Sequence, residues 1–139
     1  MSYTFSIIKP DSVEAGVDNQ ILSLISLNMF KIKGIKRTIL TKEKAEQFYA
    51  IHKGKDFFPD LIRFMTSGPI VVLAIESTNA VERFRKFIGD TDPKEAESNT
   101  IRAKFGTDIG KNAIHGADSD ENAKREIVFF FPELISALK

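Results

Sequence analysis

Late in the chain, Gly110-Lys111-Asn112-Ala113-Ile114-His115-Gly116-Ala117-Asp118-Ser119 sets one imidazole in a polar stretch flanked by glycines. A neutral imidazole is a competent nucleophile near pH 7, and glycine lets backbone run close to a ligand where a Cβ would intrude. By itself a loop histidine is most often a surface residue, so His115 needs partners. Lys9, Arg85, Thr91, Arg102 and Asn112 supply them if the ligand is a nucleotide phosphate chain. Phosphoryl transfer asks mainly for positioning and for cations on the phosphoryl oxygens, a task that guanidinium forks suit. Taken singly, each has an ordinary use: Lys9 and Arg85 as surface cations, Thr91 as a turn residue, Arg102 as a solvated helix charge. Tyr49 and Phe57 are candidates for one side of a base-stacking slot, although a chain with 12 Phe can equally place both in its core.

Other chemistries have less to work with. With no cysteine, disulfides, thiolate metal sites and cysteine nucleophiles are excluded. Two histidines far apart make a histidine-only metal site improbable, and His52 is read as structural or exposed. Gly54-Lys55 lacks the first glycine and the hydroxyl residue of a Walker loop. A formal net charge of +1 argues against a strongly electrostatic partner such as duplex DNA, so any anion site must be local. The basic alternation of Lys31, Lys33, Lys36 and Arg37 reads as the solvated edge of a strand, and nucleic acid as an unlikely partner. No apolar run approaches the ~18 to 20 residues of a membrane span, and no secretory leader opens the chain, so it is expected to be cytoplasmic.

A chain of 139 residues is long enough for one domain with a real core and too short for two ordinary ones, so residues 1–139 are expected to form a single domain. Positioning falls to alternating elements. Tyr3 to Ile8 reads as a strand stopped by Pro10, and Asn19 to Leu27 as a helix with Ile21, Leu24 and Ile25 on one face. Phe30 to Leu40 alternates as a half-exposed strand whose phase shifts at Gly34, where a bulge is expected. Thr41 caps a helix over Lys42 to His52, and Phe57-Phe58-Pro59 opens another that runs to Met65. Ile70 to Ile75 is the expected central strand. Asn79 with Glu82 resembles a capping box for a helix that stops at Gly89. After a loop segment with a short helix near Thr100 to Phe105, Ser119 caps a helix through Arg125, and Ile127 to Phe131 reads as a last strand. The order β-α-β-α-β-α-β predicts an α+β, ferredoxin-like βαββαβ sandwich, a four-stranded antiparallel sheet with helices packed on one face.

From Thr4 to about Leu134 the chain resembles nucleoside diphosphate kinase. The matching pieces are Ile7-Ile8-Lys9-Pro10-Asp11, Phe48-Tyr49 followed by Asp56-Phe57-Phe58, Met65-Thr66-Ser67-Gly68-Pro69, Gly89-Asp90-Thr91-Asp92-Pro93, Thr100-Ile101-Arg102 and the histidine stretch. The resemblance implies reversible γ-phosphoryl transfer from a nucleoside triphosphate to a nucleoside diphosphate through a phosphohistidine at His115. It places Lys9, Tyr49, Arg85, Thr91, Arg102 and Asn112 around phosphates and ribose, and Phe57, Leu61 and Ile109 at the base. Apolar contact does not read base edges, so purine and pyrimidine nucleotides should both be accepted. Glu126 stands where the family carries a glutamate that steadies the imidazole. Mg²⁺ is implied as the companion of the nucleotide, with Asp118 reaching it through water.

The chain departs from the family in two places. Where the family loop commonly reads His-Gly-Ser-Asp-Ser, Ala117 replaces the first serine, and the missing hydroxyl predicts a modest loss of activity. The chain ends at Lys139, without the longer tail of many relatives. The resemblance also implies a homo-oligomer, a tetramer or hexamer built from dimers. The alternative to an enzyme is a noncatalytic nucleotide-binding or interaction module that kept the pocket.

Overall fold

The computed structural model describes residues 1–138. Four strands form one sheet in the order β2-β3-β1-β4, every neighbouring pair antiparallel. Strands β1 (Ser2–Ile8) and β3 (Ile70–Ser77) are the central pair, β2 (Lys31–Thr38) is one edge, and β4 (Ile114–Gly116) is the other. The architecture is the expected ferredoxin-like α+β fold.

Side chains of a strand alternate between faces, and here both faces are buried. Phe5, Ile7, Val72 and Ala74 face a cluster that includes Phe48, Met65, Ile127 and Phe131. Ile8, Val71, Leu73 and Ile75 face another, with Ile21, Ile25, Phe84 and Ile88. Helices α3 (Lys42–Phe48), α4 (Phe58–Met65) and α7 (Asp120–Phe130) supply the first layer; α2 (Asp18–Leu27) and α5 (Ala80–Ile88) supply the second. Helices therefore cover two faces of the sheet, not one. The continuous apolar run of β3 already carried that information, because a strand with one wet face alternates.

The last strand also differs from expectation. Ile127 to Phe131 is not a strand: α7 runs unbroken from its cap to Phe130, and the fourth strand lies in the histidine stretch itself. An apolar run of five residues fits a buried helix as well as a strand. Ala123, Glu126 and Ile127 are buried at helical spacing, and Phe131, four residues beyond Ile127, packs in the same cluster. Ser119 caps the helix as expected, its hydroxyl accepting from the Asn122 amide at 3.0 Å.

Smaller corrections have local causes. The helix from Lys42 stops at Phe48, and Ala50–His52 continues as a 3₁₀ turn. Pro10, read as a strand stop, opens a short helix α1 (Pro10–Glu14), where its missing N–H costs nothing. The Asn79–Glu82 capping box is absent: Asn79 lies at φ 47° and makes no cap, and the free Ala80 amide donates instead to Ser2 Oγ at 2.8 Å. The expected irregularity in β2 is present between Ile32 and Gly34. A Cβ on Gly34 would stand 2.9 Å from the Phe131 ring, so the bulge brings β2 under the end of α7.

The basic strand edge is partly spent on the fold. Lys36 donates to the Phe130 carbonyl at 2.8 Å and pairs with Glu133, while Arg37 pairs with Asp18 at 3.1 Å. Among the described residues no helix is long and apolar enough to cross a membrane.

Candidate active site

The histidine sits on β4, which places it beside Ile7 of the central strand β1. Two features fix its backbone. Ala113, just before β4, lies at φ 77°, in a tight turn closed by the Ile114 amide on the Asn112 carbonyl at 3.0 Å. Such a turn is strained for a residue with a Cβ and persists only where its surroundings over-determine it. Here the Lys9 amide donates to the Ala113 carbonyl at 2.9 Å, and the Ala113 amide donates to Asp11 Oδ2 at 3.1 Å. On the other side, Gly116 lets α5 approach: a Cβ there would lie 2.9 Å from Ile88 Cδ1 and 3.2 Å from Phe84 Cδ2.

The imidazole is mostly buried and packed edge-on against Phe5 and Phe48, with ring centroids 6.1 and 6.0 Å away. Its Nε2 lies 2.7 Å from Oε1 of Glu126, which is buried on the inner face of α7. A carboxylate only accepts, so in the neutral ring the hydrogen belongs to Nε2 and the lone pair to Nδ1.

His115 and Glu126 line a cleft of about 820 Å³ together with Lys9, Tyr49, Phe57, Leu61, Arg85, Thr91, Arg102, Ile109, Asn112 and Asp118. Lys9, at the end of β1, donates from Nζ to Asn112 Oδ1 at 2.7 Å, and Asn112 in turn donates to the Thr91 carbonyl at 3.0 Å. Burial, with Arg102 nearby, lowers the Lys9 pKa to about 8 against the partial compensation of Asp11. Arg102, on α6 (Ile101–Phe105), is buried and not a solvated helix charge. Its two terminal nitrogens donate to the Gly89 and Ile114 carbonyls, each at 2.9 Å, tying the end of α5 to β4. Burial and then Arg85 depress its pKa to about 10, so it remains a cation at neutral pH. Arg85 and Thr91 are exposed on the rim. Tyr49 is buried, and its phenol is pushed above the usual tyrosine range by burial and by Glu126, which keeps it a neutral donor.

The opposite end of the cleft is apolar. Phe57 and Ile109 are 49% and 60% exposed, which marks them as walls and not core, and half-buried Leu61 lies with them. Asp108 folds the loop that presents Ile109, its Oδ1 accepting from the Gly110 and Lys111 amides at 2.9 and 2.8 Å. His52, read as structural or exposed, belongs to this wall: its ring lies 5.3 Å from that of Phe57 and 6.4 Å from that of Tyr49.

Asp118 stands exposed at the rim, its pKa lowered first by the hydrogen bond from Asn122 Nδ2 at 2.6 Å, so it is anionic. Among the described residues no group of three His, Asp or Glu is arranged to hold a metal ion. One carboxylate beside several cations fits Mg²⁺ only as a companion of bound phosphates. Asn122 and Arg125 also line the cleft and were missed, although both lie within the helix expected from Ser119 through Arg125. The spacing carried part of the signal: Asn122 lies one turn before Glu126 on a helix begun at Ser119, whereas Arg125, adjacent to Glu126, reaches the cleft by turning back.

A family model for nucleoside diphosphate kinase matches residues 2–135. Proteins named nucleoside diphosphate kinase from Helicobacter hepaticus and Anaeromyxobacter sp. (strain K) are 53% and 52% identical over 131 residues. That span is 94% of this chain and 96% and 89% of theirs. The nucleoside diphosphate kinase of Aquifex aeolicus superposes with a TM-score of 0.92 at 46% identity, over 94% of both chains. That of Encephalitozoon cuniculi superposes with a TM-score of 0.92 at 32% identity, over 97% of this chain and 92% of its own. Strand order, the histidine–glutamate pair on the cleft floor and these likenesses agree: the chain belongs to the nucleoside diphosphate kinase family, a family of phosphotransferases.

Proposed function

We propose that the protein moves the γ-phosphoryl group of a nucleoside triphosphate to a nucleoside diphosphate by a ping-pong route through phosphorylated His115. The observation that carries this reading is the 2.7 Å bond between His115 Nε2 and Glu126 Oε1 at the floor of a cation-lined cleft. With Nε2–H held by the carboxylate, the Nδ1 lone pair attacks the γ-phosphorus and the bond to the β,γ-bridging oxygen breaks. The diphosphate leaves with the bonding electrons. Glu126 stabilises the positive charge that develops on the ring, and Lys9, Arg85 and Arg102 meet the charge on the phosphoryl oxygens. In the second half a terminal phosphate oxygen of the acceptor diphosphate attacks the same phosphorus, and the P–N bond breaks. Tyr49, Thr91 and Asn112 position phosphates and ribose. Asp118 is the carboxylate that would face a Mg²⁺ ion brought in with the nucleotide, and such an ion would neutralise phosphate charge.

Phe57, Leu61 and Ile109 offer the base apolar contact and no edge-reading hydrogen bonds, which supports broad base specificity. The chain is taken to act as one domain, in the cytoplasm, as a homo-oligomer built from dimers. Initial rates with ATP against several acceptor diphosphates should give parallel double-reciprocal lines for purine and pyrimidine acceptors alike. Converging lines would mean direct transfer within a ternary complex and would overturn the phosphohistidine route.

A further inference from the structure

The Glu126 carboxylate has two oxygens, and only Oε1 is engaged by His115. Ala117, fully buried at the end of β4, brings no hydroxyl to the site. Among the described residues one other cation pairs with this carboxylate: Arg125, whose Nη2 lies 3.5 Å from Glu126 Oε2. The same Nη2 is 3.4 Å from Asn122 Oδ1, and Asn122 Nδ2 donates to Asp118 Oδ1 at 2.6 Å. Asn122 is itself pinned to the helix start through Ser119. A chain of polar contacts therefore runs from the rim at Asp118 through Asn122 and Arg125 to Glu126 and the imidazole.

Resting on the function proposed above, the geometry points to Arg125 as a positioning residue: it holds the free oxygen of Glu126 and thereby sets the orientation and proton affinity of His115. A carboxylate with one bonded oxygen can rotate about its last torsion; a cation on the second oxygen restricts it. The guanidinium does this from the edge of the cleft, where its side chain is 40% exposed, so its removal leaves no buried hole. Adjacent residues on a helix diverge. A surface arginine with no task would extend into solvent, whereas this one turns back over the carboxylate of its neighbour.

The charged and titratable groups that share the cleft with the pair are Lys9 after β1, Tyr49 from the end of α3, Arg85 from α5, Arg102 from α6 and Asp118, with His52, Asp60, Asp108 and Lys111 also in its lining. Replacing Arg125 changes none of these. The carboxylate would then lack its second cation, so the acid limb of the rate profile should move toward higher pH. At saturating nucleotide, R125Q should lower the rate of phosphoenzyme formation about five- to thirty-fold with little change in nucleotide KM. R125K should retain most of the rate. In the free protein, nitrogen NMR of labelled imidazole should show His115 as the Nε2–H tautomer, and R125Q should add the Nδ1–H form. A raised KM with an unchanged limiting rate would make Arg125 a nucleotide ligand and overturn the inference. So would a wild-type pH profile and tautomer in R125Q. Absence of a phosphoenzyme in the unsubstituted protein would defeat the underlying function instead.

Discussion

At the scale of single residues, the fold prepares groups that look ordinary in sequence, Glu126 and Lys9 first among them. Glu126→Gln keeps the shape but removes the charge that steadies a developing imidazolium. Since hydrogen bonds to charged groups are worth about 1.5–3 kcal/mol, phosphoenzyme formation should fall about ten- to hundredfold in rapid-quench measurements. Lys9 makes a second prediction. Its pKa of about 8 lies below the ordinary 10.5 because the amine is buried and faces Arg102. Between those values the unfolded chain binds a proton that the folded chain has released, so Lys9 makes stability rise with pH across that window. Bound phosphates favour the ammonium and reverse the depression, so nucleotide binding should take up a proton at about pH 9. Titration calorimetry in buffers of different ionisation enthalpy reads that uptake directly; buffer-independent heats would place Lys9 away from the phosphates.

Among the strands, β4 is the shortest and the most consequential, three residues held by their surroundings more than by their own pairing. Asp11, at the start of α1, supplies the acceptor for the buried Ala113 amide. Asp11→Ala should cost about 1–3 kcal/mol in urea unfolding and lower turnover by loosening the strained turn, while Asp11→Asn, which keeps an acceptor oxygen, should cost less. Gly116→Ala pushes a methyl against Ile88 and Phe84 and should cost about 1–3 kcal/mol through overpacking. Elements with a clear local pattern were legible in sequence: β1, the bulged β2, β3, and the caps at Thr41 and Ser119, each of which accepts a helix amide; the cap at Thr100 was not. What escaped was set by tertiary context. Ile127 to Phe131 has the composition of a strand but takes its place in α7 because a helix already started at Ser119 buries Ile127 and Phe131 on one face. Conversely, Ile114–Gly116 carries too few residues to announce a strand and becomes one because β1 offers an open edge.

The whole molecule gathers into one cleft side chains from positions 9 to 126, which no spacing rule in the chain could have joined. Their identities were legible through resemblance, and their convergence follows from antiparallel pairing of β1 with β4 and from α5, α6 and α7 meeting at that edge. The hold of Asp11 on Ala113, and the places of Asn122 and Arg125 in the cleft, were not legible, because only the folded chain shows what they touch. The far edge of the sheet presents β2 with Ile35 51% exposed, and Ile39 just beyond it is 62% exposed. An open strand edge with apolar side chains is a surface that natural proteins cover. It supports the proposed assembly from dimers. Light scattering should give a mass that is an even multiple of the 15.6 kDa chain, and a monomer at micromolar concentration would contradict it.

The central claim, that His115 is the atom-bearing intermediate of the transfer, is tested most directly by isolating the phosphoenzyme. Incubation with Mg²⁺ and ATP labelled at the γ-phosphate should give a phosphoprotein that is labile in acid, stable in alkali and discharged by any nucleoside diphosphate. His115→Ala should bind nucleotide and take up no label. Label retained in His115→Ala, or an unmodified wild-type protein that binds nucleotide normally, would contradict the account.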